Sequence, residues 1–292
     1  MVTREPIASA CICCASTNLN RSPAVLMPFV AYRAFGHQPV EITVDWGLRD
    51  LRQGMAYSLC NSLQCQDCGV LFLDYRFTDQ QMAALYQNYR DATYNAQRIH
   101  FEPGYANVAA HYQQRADYIA EVEAWLERYL PPEPRVLDWG GDTGINSPFL
   151  GRAAPLHVYD ISGVDVLPGA TRIGAEHLKR QHYDLVVCSE VLEHVPFPLE
   201  FLQQLSPVLD SDTLLYLEVP HEALIREHPD NRQLAPLKRH WHEHINFYTE
   251  DAVRCMLKRL GLEVVECLHL PVDIGWTKSE VLGVLAKLSR RE

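Results

Sequence analysis

The chain has 292 residues, 47% of them hydrophobic and 22% charged, and a formal net charge of −11. This composition is typical of a soluble globular protein, and the acidic balance disfavours nucleic acid as a partner because no broad basic surface is available for phosphates. No apolar run approaches the ~18 residues of a membrane span, and the first residues lack the apolar core of a secretory signal. We expect a cytoplasmic protein with one α/β domain and a smaller module.

The first segment, residues 1–75, contains most of the cysteines and is predicted to form the small module. The chain has nine cysteines, an odd number, and their clustering as CICC and CQDC favours metal ligation or free thiols over a disulfide framework. Two C-x-x-C pairs provide the four thiolates of a tetrahedral structural zinc site. The predicted ligands are Cys11, Cys14, Cys65 and Cys68, with Cys13 and Cys60 as alternative ligands.

Residues 76–130 are predicted to be a helical linker that covers a cofactor. Apolar and aromatic residues such as Met82, Leu85 and Tyr89 recur there at helical spacing. Pro131 then ends the helical pattern.

The remaining segment, residues 131–292, alternates short apolar runs with helical stretches. RVLDW, LHVYD, YDLVVCS, TLLYLEV and LEVVECLHL are typical of buried strands, whereas FPLEFLQQLSPVL suits a helix. VLGVLA fits either state, and we favour a strand. The alternation predicts an α/β fold with a doubly wound, mostly parallel, Rossmann-like sheet.

A glycine turn follows the first predicted strand of this segment, in VLDWGGDTGINSPFL (136–150). Glycines let backbone N–H groups and the start of a following helix approach a ligand closely. The dinucleotide fingerprint G-x-G-x-x-G fails here because its first glycine falls on Trp139. The candidate cofactor-binding residues of the turn are Asp138, Gly140, Gly141 and Gly144.

Polar residues also follow other predicted strands. Asp160 lies 22 positions after Asp138, a spacing that suits a carboxylate on a ribose diol. Ser189 and Glu190 lie at the end of the YDLVVCS strand. Ligands of open parallel sheets bind outside the carboxyl ends of the strands, so we predict that these residues share the cofactor crevice with the glycine turn.

The spacing of Asp138, Gly140 and Gly144 resembles motif I (D-x-G-x-G-x-G) of the class I S-adenosylmethionine (SAM) methyltransferases, with Asp142 at the remaining glycine position. YDLVVCSEVLEHVPFP, residues 183–198, is similar to the motif that follows the fourth strand in that superfamily. We expect His194 in this motif to pack and hydrogen-bond within its turn. The resemblance covers about residues 105–287 and implies a seven-stranded sheet that binds SAM.

The four-cysteine module in front of such a domain resembles the sugar C-methyltransferase family, which acts on nucleotide-linked keto-deoxysugars. Trp-His-Glu-His at 241–244 is similar to that family's Y-H-E-H string, and the resemblance implies that Glu243 and His244 lie at the sugar, with His244 as base. His242 is the nearest competitor for that role. A surface loop or an adventitious metal site is the alternative interpretation. Trp241 replaces the family's tyrosine, and the sequence ends at Glu292 without its additional C-terminal domain.

The leading hypothesis is a SAM-dependent methyltransferase acting on a nucleotide-sugar or a glycan, at oxygen or carbon. Methyl transfer requires alignment, exclusion of water and removal of a proton, and an imidazole oriented by Glu243 suits the last task. A non-catalytic zinc-containing scaffold with a retired methyltransferase fold is one alternative, motivated by Asp142 and Trp241. A nicotinamide-dependent oxidoreductase is the other, motivated by the glycine turn and Asp160. A small-molecule sugar or glycan is the expected partner.

Overall fold

The structure is a computed structural model that describes residues 5–43, 54–107, 114–178, 181–273 and 278–289. No helix in these ranges has both the length and the apolar character to cross a membrane. The strands are β1 Leu19–Leu26, β2 Val40–Ile42, β3 Gly54–Ala56, β4 Leu59–Cys65, β5 Leu71–Leu73, β6 Val136–Trp139, β7 Leu156–Tyr159, β8 Thr171–Arg172, β9 Leu185–Ser189, β10 Leu214–Pro220, β11 His240–Trp241, β12 Asn246–Phe247, β13 Leu262–Asp273 and β14 Lys278–Leu288. The α-helices are α1 Pro28–Phe35, α2 Asp79–Tyr86, α3 Ala92–Phe101, α4 Ile119–Leu126, α5 Ala175–Leu178, α6 Pro198–Gln203, α7 Ala223–Arg226 and α8 Glu250–Arg259.

The larger sheet has seven strands in the order β13-β14-β10-β9-β6-β7-β8. The five strands from β10 to β8 pair in parallel, while β14 is antiparallel to both of its neighbours. Each of the five apolar runs predicted as a buried strand forms a strand, and VLGVLA lies within β14. The prediction of burial is wrong for β13, which lies at the edge of the sheet and is mostly exposed or half-buried. This mixed α/β architecture with a parallel-rich sheet fits a Rossmann-like fold.

The chain does not enter a helix after β6. Residues 140–153 form consecutive turns instead, so the prediction that a helix N-terminus faces the ligand is wrong. The backbone explains the difference: φ is +52° at Asp142, +79° at Gly144 and +63° at Phe149. Each of these values lies in the left-handed region, which a right-handed helix cannot include.

The smaller sheet joins distant parts of the sequence in the order β11-β1-β4-β5-β12. β11 pairs in parallel with β1 at one edge, and β12 pairs antiparallel with β5 at the other edge. The loop from His242 to Ile245 therefore crosses the end of this sheet from edge to edge. The sheet of the N-terminal segment thus includes strands from residues 240–247, and the division at residues 75 and 130 stays a prediction.

α8 anchors the cysteine pairs to the larger sheet. Its N-cap Thr249 accepts a hydrogen bond from the backbone N–H of Ala252 and donates its hydroxyl hydrogen to the Cys68 carbonyl at 2.6 Å. Arg259, in the last turn, donates to the Cys13 carbonyl at 2.8 Å. Val253, Met256 and Leu257 of this helix are buried in the same apolar core as the cysteines. The four-cysteine segment is therefore packed directly against the Rossmann-like sheet.

Candidate active site

The glycine turn after β6 brings backbone to the carboxyl end of the sheet. Gly140 has φ +90°, and a Cβ atom added there would lie 2.6 Å from Cγ2 of Val191. A Cβ atom at Gly141 would overlap the Asp138 carboxylate, whereas one at Gly144 would meet its neighbours only at ordinary contact distance. Gly140 and Gly141 are therefore required for close approach, and Gly144 for its backbone angle of +79°. Such a cradle fits a nucleoside cofactor.

Asp138 lies beneath the turn and does not face the crevice. It is 4% exposed, and its carboxylate accepts a hydrogen bond from the Ser147 hydroxyl. Burial raises the pKa of Asp138 to about 7. The predicted cofactor residue therefore holds the turn together by binding Ser147.

Asp160 is bound to the glycine turn through its carboxylate. One carboxylate oxygen accepts from the backbone N–H of Asp142 at 3.0 Å, and the other accepts from the N–H of Ser162 at 2.7 Å. Each oxygen keeps a second lone pair, so the carboxylate is both fixed and able to accept from ribose hydroxyls. Asp142 also forms an ion pair with Arg90 at 3.8 Å, which connects the predicted covering segment to the turn.

The end of β9 is linked to a buried acid that sequence reasoning missed. Glu218 on β10 is fully buried and accepts hydrogen bonds from Ser189 at 2.6 Å, from Tyr118 at 2.9 Å and from Tyr216. The Ser189 hydroxyl is thus engaged within the protein. Glu190 has φ +54° and an exposed side chain, yet the surrounding protein and then the carboxylates of Glu193 and Glu218 raise its pKa well above the usual range.

The loop from His242 to Ile245 places His244 against an acid from the end of β10. Nδ1 of His244 lies 2.8 Å from Oε1 of Glu222, and its backbone N–H donates to Nδ1 of His242 at 3.1 Å. Burial lowers the pKa of His242 well below the usual value. Burial alone would lower the pKa of His244 too, but the hydrogen bond to Glu222 and the charge of Glu193 raise it.

Glu243 does not orient His244, contrary to the prediction. Its carboxylate binds the guanidinium of Arg98 and accepts from the hydroxyl of Tyr94 at 3.2 Å. Burial would raise the pKa of Glu243, but the charge of Arg98 outweighs it and the pKa is lowered. Consecutive side chains of this loop point to different neighbours, so Glu222 is the acid that orients His244.

A short 3₁₀ turn at Leu192–His194 brings two more ionisable groups to His244. Nδ1 of His194 lies 2.9 Å from both the Glu243 carbonyl and the Tyr86 hydroxyl, and its ring is centred 4.8 Å from that of His244. Burial, followed by the charge of His244, lowers the pKa of His194 to about 3. His194 therefore makes the turn hydrogen bonds we expected, and it also faces the candidate site.

Glu193 is the other group in that turn. It is 1% exposed, and neither of its carboxylate oxygens has a hydrogen-bond partner. Burial raises its pKa to about 7. Glu193 follows β9 and Glu222 follows β10, and the sequence analysis missed both residues. The rule that identified Asp160, namely that the ends of parallel strands converge on one crevice, applies equally to them.

The structure brings the four predicted cysteines together. The sulfur atoms of Cys11, Cys14, Cys65 and Cys68 all lie within 4.8 Å of one another. The closest pairs are Cys11–Cys68 and Cys14–Cys65, each at 3.5 Å. The backbone N–H groups of residues 13 and 14 point to the Cys11 sulfur at 3.4 and 3.5 Å. Cys13 and Cys60 are not among these four, although the Cys13 thiol interacts with those of Cys11 and Cys68. Four converging thiols fit a tetrahedral zinc ion.

Trp241 is a core residue and does not line the crevice. It is fully buried, and its indole N–H donates to the Ser62 hydroxyl at 2.8 Å. The ammonium group of Lys238 lies over the rings of Trp241 and Phe247, 4.9 and 4.3 Å from their centres. Lys238 is only 7% exposed, so it does not belong to a solvated basic loop.

Comparisons with known proteins identify a family for most of the larger sheet. Residues 109–267, more than half of the chain, match a protein family described as a methyltransferase domain. A solved 1,6-didemethyltoxoflavin-N1-methyltransferase from Burkholderia thailandensis, with 1,6-didemethyltoxoflavin and S-adenosylhomocysteine bound, is 14% identical over 66% of this chain and 87% of that chain, with a TM-score of 0.46. Magnesium protoporphyrin IX methyltransferase from Synechocystis, with S-adenosylhomocysteine bound, is 18% identical over 62% of this chain and 85% of that chain, with a TM-score of 0.39. No curated protein sequence matches the chain.

Proposed function

Because the chain belongs to the methyltransferase domain family and is a SAM-dependent methyltransferase, we propose that its acceptor is a sugar, carried as a nucleotide-sugar or a glycan. The observation that carries this proposal is the loop at 242–244, in which His244 and its partner Glu222 lie beside Glu193 and His194. Carboxylates and imidazoles in one cluster provide many hydrogen-bonding groups for a polyhydroxylated acceptor. The resemblance of this loop to the sugar-methyltransferase string gives independent support.

SAM is proposed to bind at the carboxyl ends of β6 and β7. The backbone of Gly140, Gly141 and Gly144 would approach the cofactor closely, and Asp160 would accept hydrogen bonds from the ribose diol. Asp138 would support the turn from below. Glu190, whose side chain is exposed at the end of β9, would line the same crevice, and Ser189 would act through its hydrogen bond to Glu218.

His244 is proposed to activate the acceptor. Its Nδ1 is engaged with Glu222, which leaves the lone pair of Nε2 available to the acceptor group. SAM would supply the methyl group and leave as S-adenosylhomocysteine, while Nε2 of His244 would take the proton of the acceptor group. Glu243 would hold the loop through Arg98, and His242 would support the backbone of His244.

The four-cysteine cluster is proposed to hold a structural zinc ion. All four thiolates are protein ligands, so the ion would have no open position for a substrate. Cys65 ends β4, the central strand of the smaller sheet, and that sheet carries both ends of the 242–245 loop. We call residues 242–245 the acceptor loop. Zinc would therefore stabilise the smaller sheet, which holds both ends of the acceptor loop.

The acceptor class is tested with SAM that carries a labelled methyl group. The purified enzyme is incubated in parallel with nucleotide-sugars, neutral glycans, small peptides and aromatic heterocycles, and the labelled product is identified by mass spectrometry. We expect label on a sugar ring. Label found only on a peptide or a heterocycle would refute the sugar proposal, while the methyltransferase assignment would stand.

A further inference from the structure

Three side chains at the 242–245 loop bring possible metal-ligand atoms close together. One ligand atom each from Glu193, His194 and His244 lies within 4.8 Å of the other two. Nε2 of His194 lies 3.5 Å from Oε1 of Glu193. Both carboxylate oxygens of Glu193 are buried and lack a hydrogen-bond partner, a state that is destabilising for a charged group. A cation bound between the three groups would compensate for it.

The hydrogen-bond partners of the two histidines fix which nitrogen is free. Nδ1 of His194 lies 2.9 Å from the carbonyl oxygen of Glu243, which can only accept, so this nitrogen carries the hydrogen. Nδ1 of His244 faces the Glu222 carboxylate at 2.8 Å and likewise donates. In both rings Nε2 is left with its lone pair. Histidine ligands of metal ions are held in this way, with the second nitrogen donating to a carbonyl or a carboxylate.

The backbone keeps the three groups in fixed relation. Glu193 and His194 lie in one 3₁₀ turn, and the carbonyl of Glu193 accepts from the backbone N–H of Ile245 at 2.7 Å. That residue directly follows His244 in the acceptor loop. The turn after β9 and the acceptor loop are therefore joined directly beside the cluster.

We propose that Glu193, His194 and His244 bind a divalent transition-metal ion, such as Mn²⁺, Fe²⁺ or Zn²⁺, in a site distinct from the four-cysteine cluster. Two imidazoles and one carboxylate suit these ions and leave open positions for an acceptor oxygen. Glu190 and Glu222 add negative charge around the site, which favours a cation further. With the ion bound, Nε2 of His244 would be a ligand and not the base, and the ion would instead lower the pKa of an acceptor hydroxyl. The inference rests on the proposed function only in placing the acceptor here.

A second cluster provides the matched control. His221 and His269 both face Glu280, with Nδ1 to Oε1 distances of 2.6 and 3.0 Å, and Nε2 of His269 lies 3.0 Å from Glu250. Both nitrogens of His269 are thus engaged with carboxylates, as in an imidazolium held by ion pairs. This cluster has no buried acceptor left without a partner among the described residues, and we expect no tight metal binding there.

The test is a titration of the full-length protein, purified without chelators, with Mn²⁺, whose free concentration is followed by electron paramagnetic resonance. Mn²⁺ does not compete for thiolates, so the cysteine cluster does not contribute. We expect one tightly bound equivalent in the wild type and in Glu280→Gln. Glu193→Gln and His244→Gln should each weaken binding at least tenfold, and Glu222→Gln by about 10–100-fold. SAM affinity, measured on the same samples, shows that each variant is folded.

Two results would overturn the site. A wild type that binds no Mn²⁺ would mean that a proton fills the space between the three groups. Binding that survives in Glu193→Gln and is lost in Glu280→Gln would place the ion in the control cluster. Sugar methylation without Mn²⁺ binding would refute the metal site alone, whereas Mn²⁺ binding with methylation of non-sugar acceptors would refute the sugar acceptor alone.

Discussion

Gly140 and Gly151 have similar backbone angles, with φ of +90° and +79°, but different surroundings. A Cβ atom at Gly140 would meet Val191, while one at Gly151 would have nothing within 4 Å. Alanine at either position should lose about 1–2 kcal/mol of stability from the left-handed backbone. Only Gly140→Ala should also lower SAM affinity, by at least tenfold in a calorimetric titration. Equal SAM affinity in the two variants would show that the turn does not bind the cofactor.

Asp138 should make the stability of the protein depend on pH. Its pKa in the folded protein is about 7, above its ordinary value of 3.8, because of burial, and Asp160 and Glu218 are the charged groups that add to the rise. The unfolded chain therefore releases this proton at lower pH than the folded chain, and the carboxyl destabilises the fold as pH rises from about 4 to 7.

The variant Asp138→Asn removes this titration and keeps an acceptor for the Ser147 hydroxyl. The free energy of unfolding of the wild type, minus that of the variant, should fall by up to about 4 kcal/mol between pH 4 and pH 7. Denaturant unfolding at several pH values measures this difference. A difference that stays constant across the range would contradict the buried position of Asp138.

Spacing along the sequence predicted which cysteines form pairs, because the two residues of a C-x-x-C pair lie one turn of backbone apart. Cys11 and Cys14 lie 57 and 51 positions from Cys68 and Cys65, and only the fold brings the two pairs together. The predicted partner of Glu243, His244, was wrong. Side chains of an irregular loop follow no fixed period, so the sequence does not show which neighbour each of them faces. Arg98 lies 145 positions from Glu243 and only the fold brings them together.

At the level of elements, the two cysteines of β4 have different surroundings, because only one of them belongs to the four-cysteine cluster. Cys65 lies at one end of this strand within the cluster, and Cys60 lies near its other end, opposite Ala24 of β1. Cys65→Ser should lose zinc in elemental analysis and lower the melting temperature, since metal binding contributes to folding. Cys60→Ser should keep one zinc per chain. Loss of zinc from both variants, or from neither, would contradict the assigned ligands.

The strands of the larger sheet were predictable where burial defines them. The short apolar runs became β6, β7, β9 and β10 because a buried strand needs little else. β13 formed as predicted, although it is an edge strand and mostly not buried. β11 and β12, of two residues each, were not foreseen, because their existence depends on pairing with β1 and β5, which lie more than 150 positions earlier. The helix expected after the glycine turn failed for a local reason, the positive φ angles at Asp142 and Phe149.

Across the whole molecule, the acceptor loop connects the two sheets. Its ends are β11 and β12 of the smaller sheet, and the backbone N–H of Ile245 donates to the Glu193 carbonyl at the end of the larger sheet. Trp241 anchors the loop by burial and by the hydrogen bond from its indole N–H to the Ser62 hydroxyl. The 242–245 loop therefore joins the smaller sheet to the turn after β9 of the larger sheet.

The most direct test of this account measures SAM affinity and methyl transfer together in wild type, His244→Ala and His269→Ala. His269 has a carboxylate partner, as His244 does, but lies outside the crevice. We predict that His244→Ala binds SAM nearly as tightly as the wild type and lowers kcat by about 10²–10⁴-fold, while His269→Ala leaves both values within about twofold. Near-normal turnover of the sugar acceptor by His244→Ala would contradict the assignment of the acceptor centre to this loop.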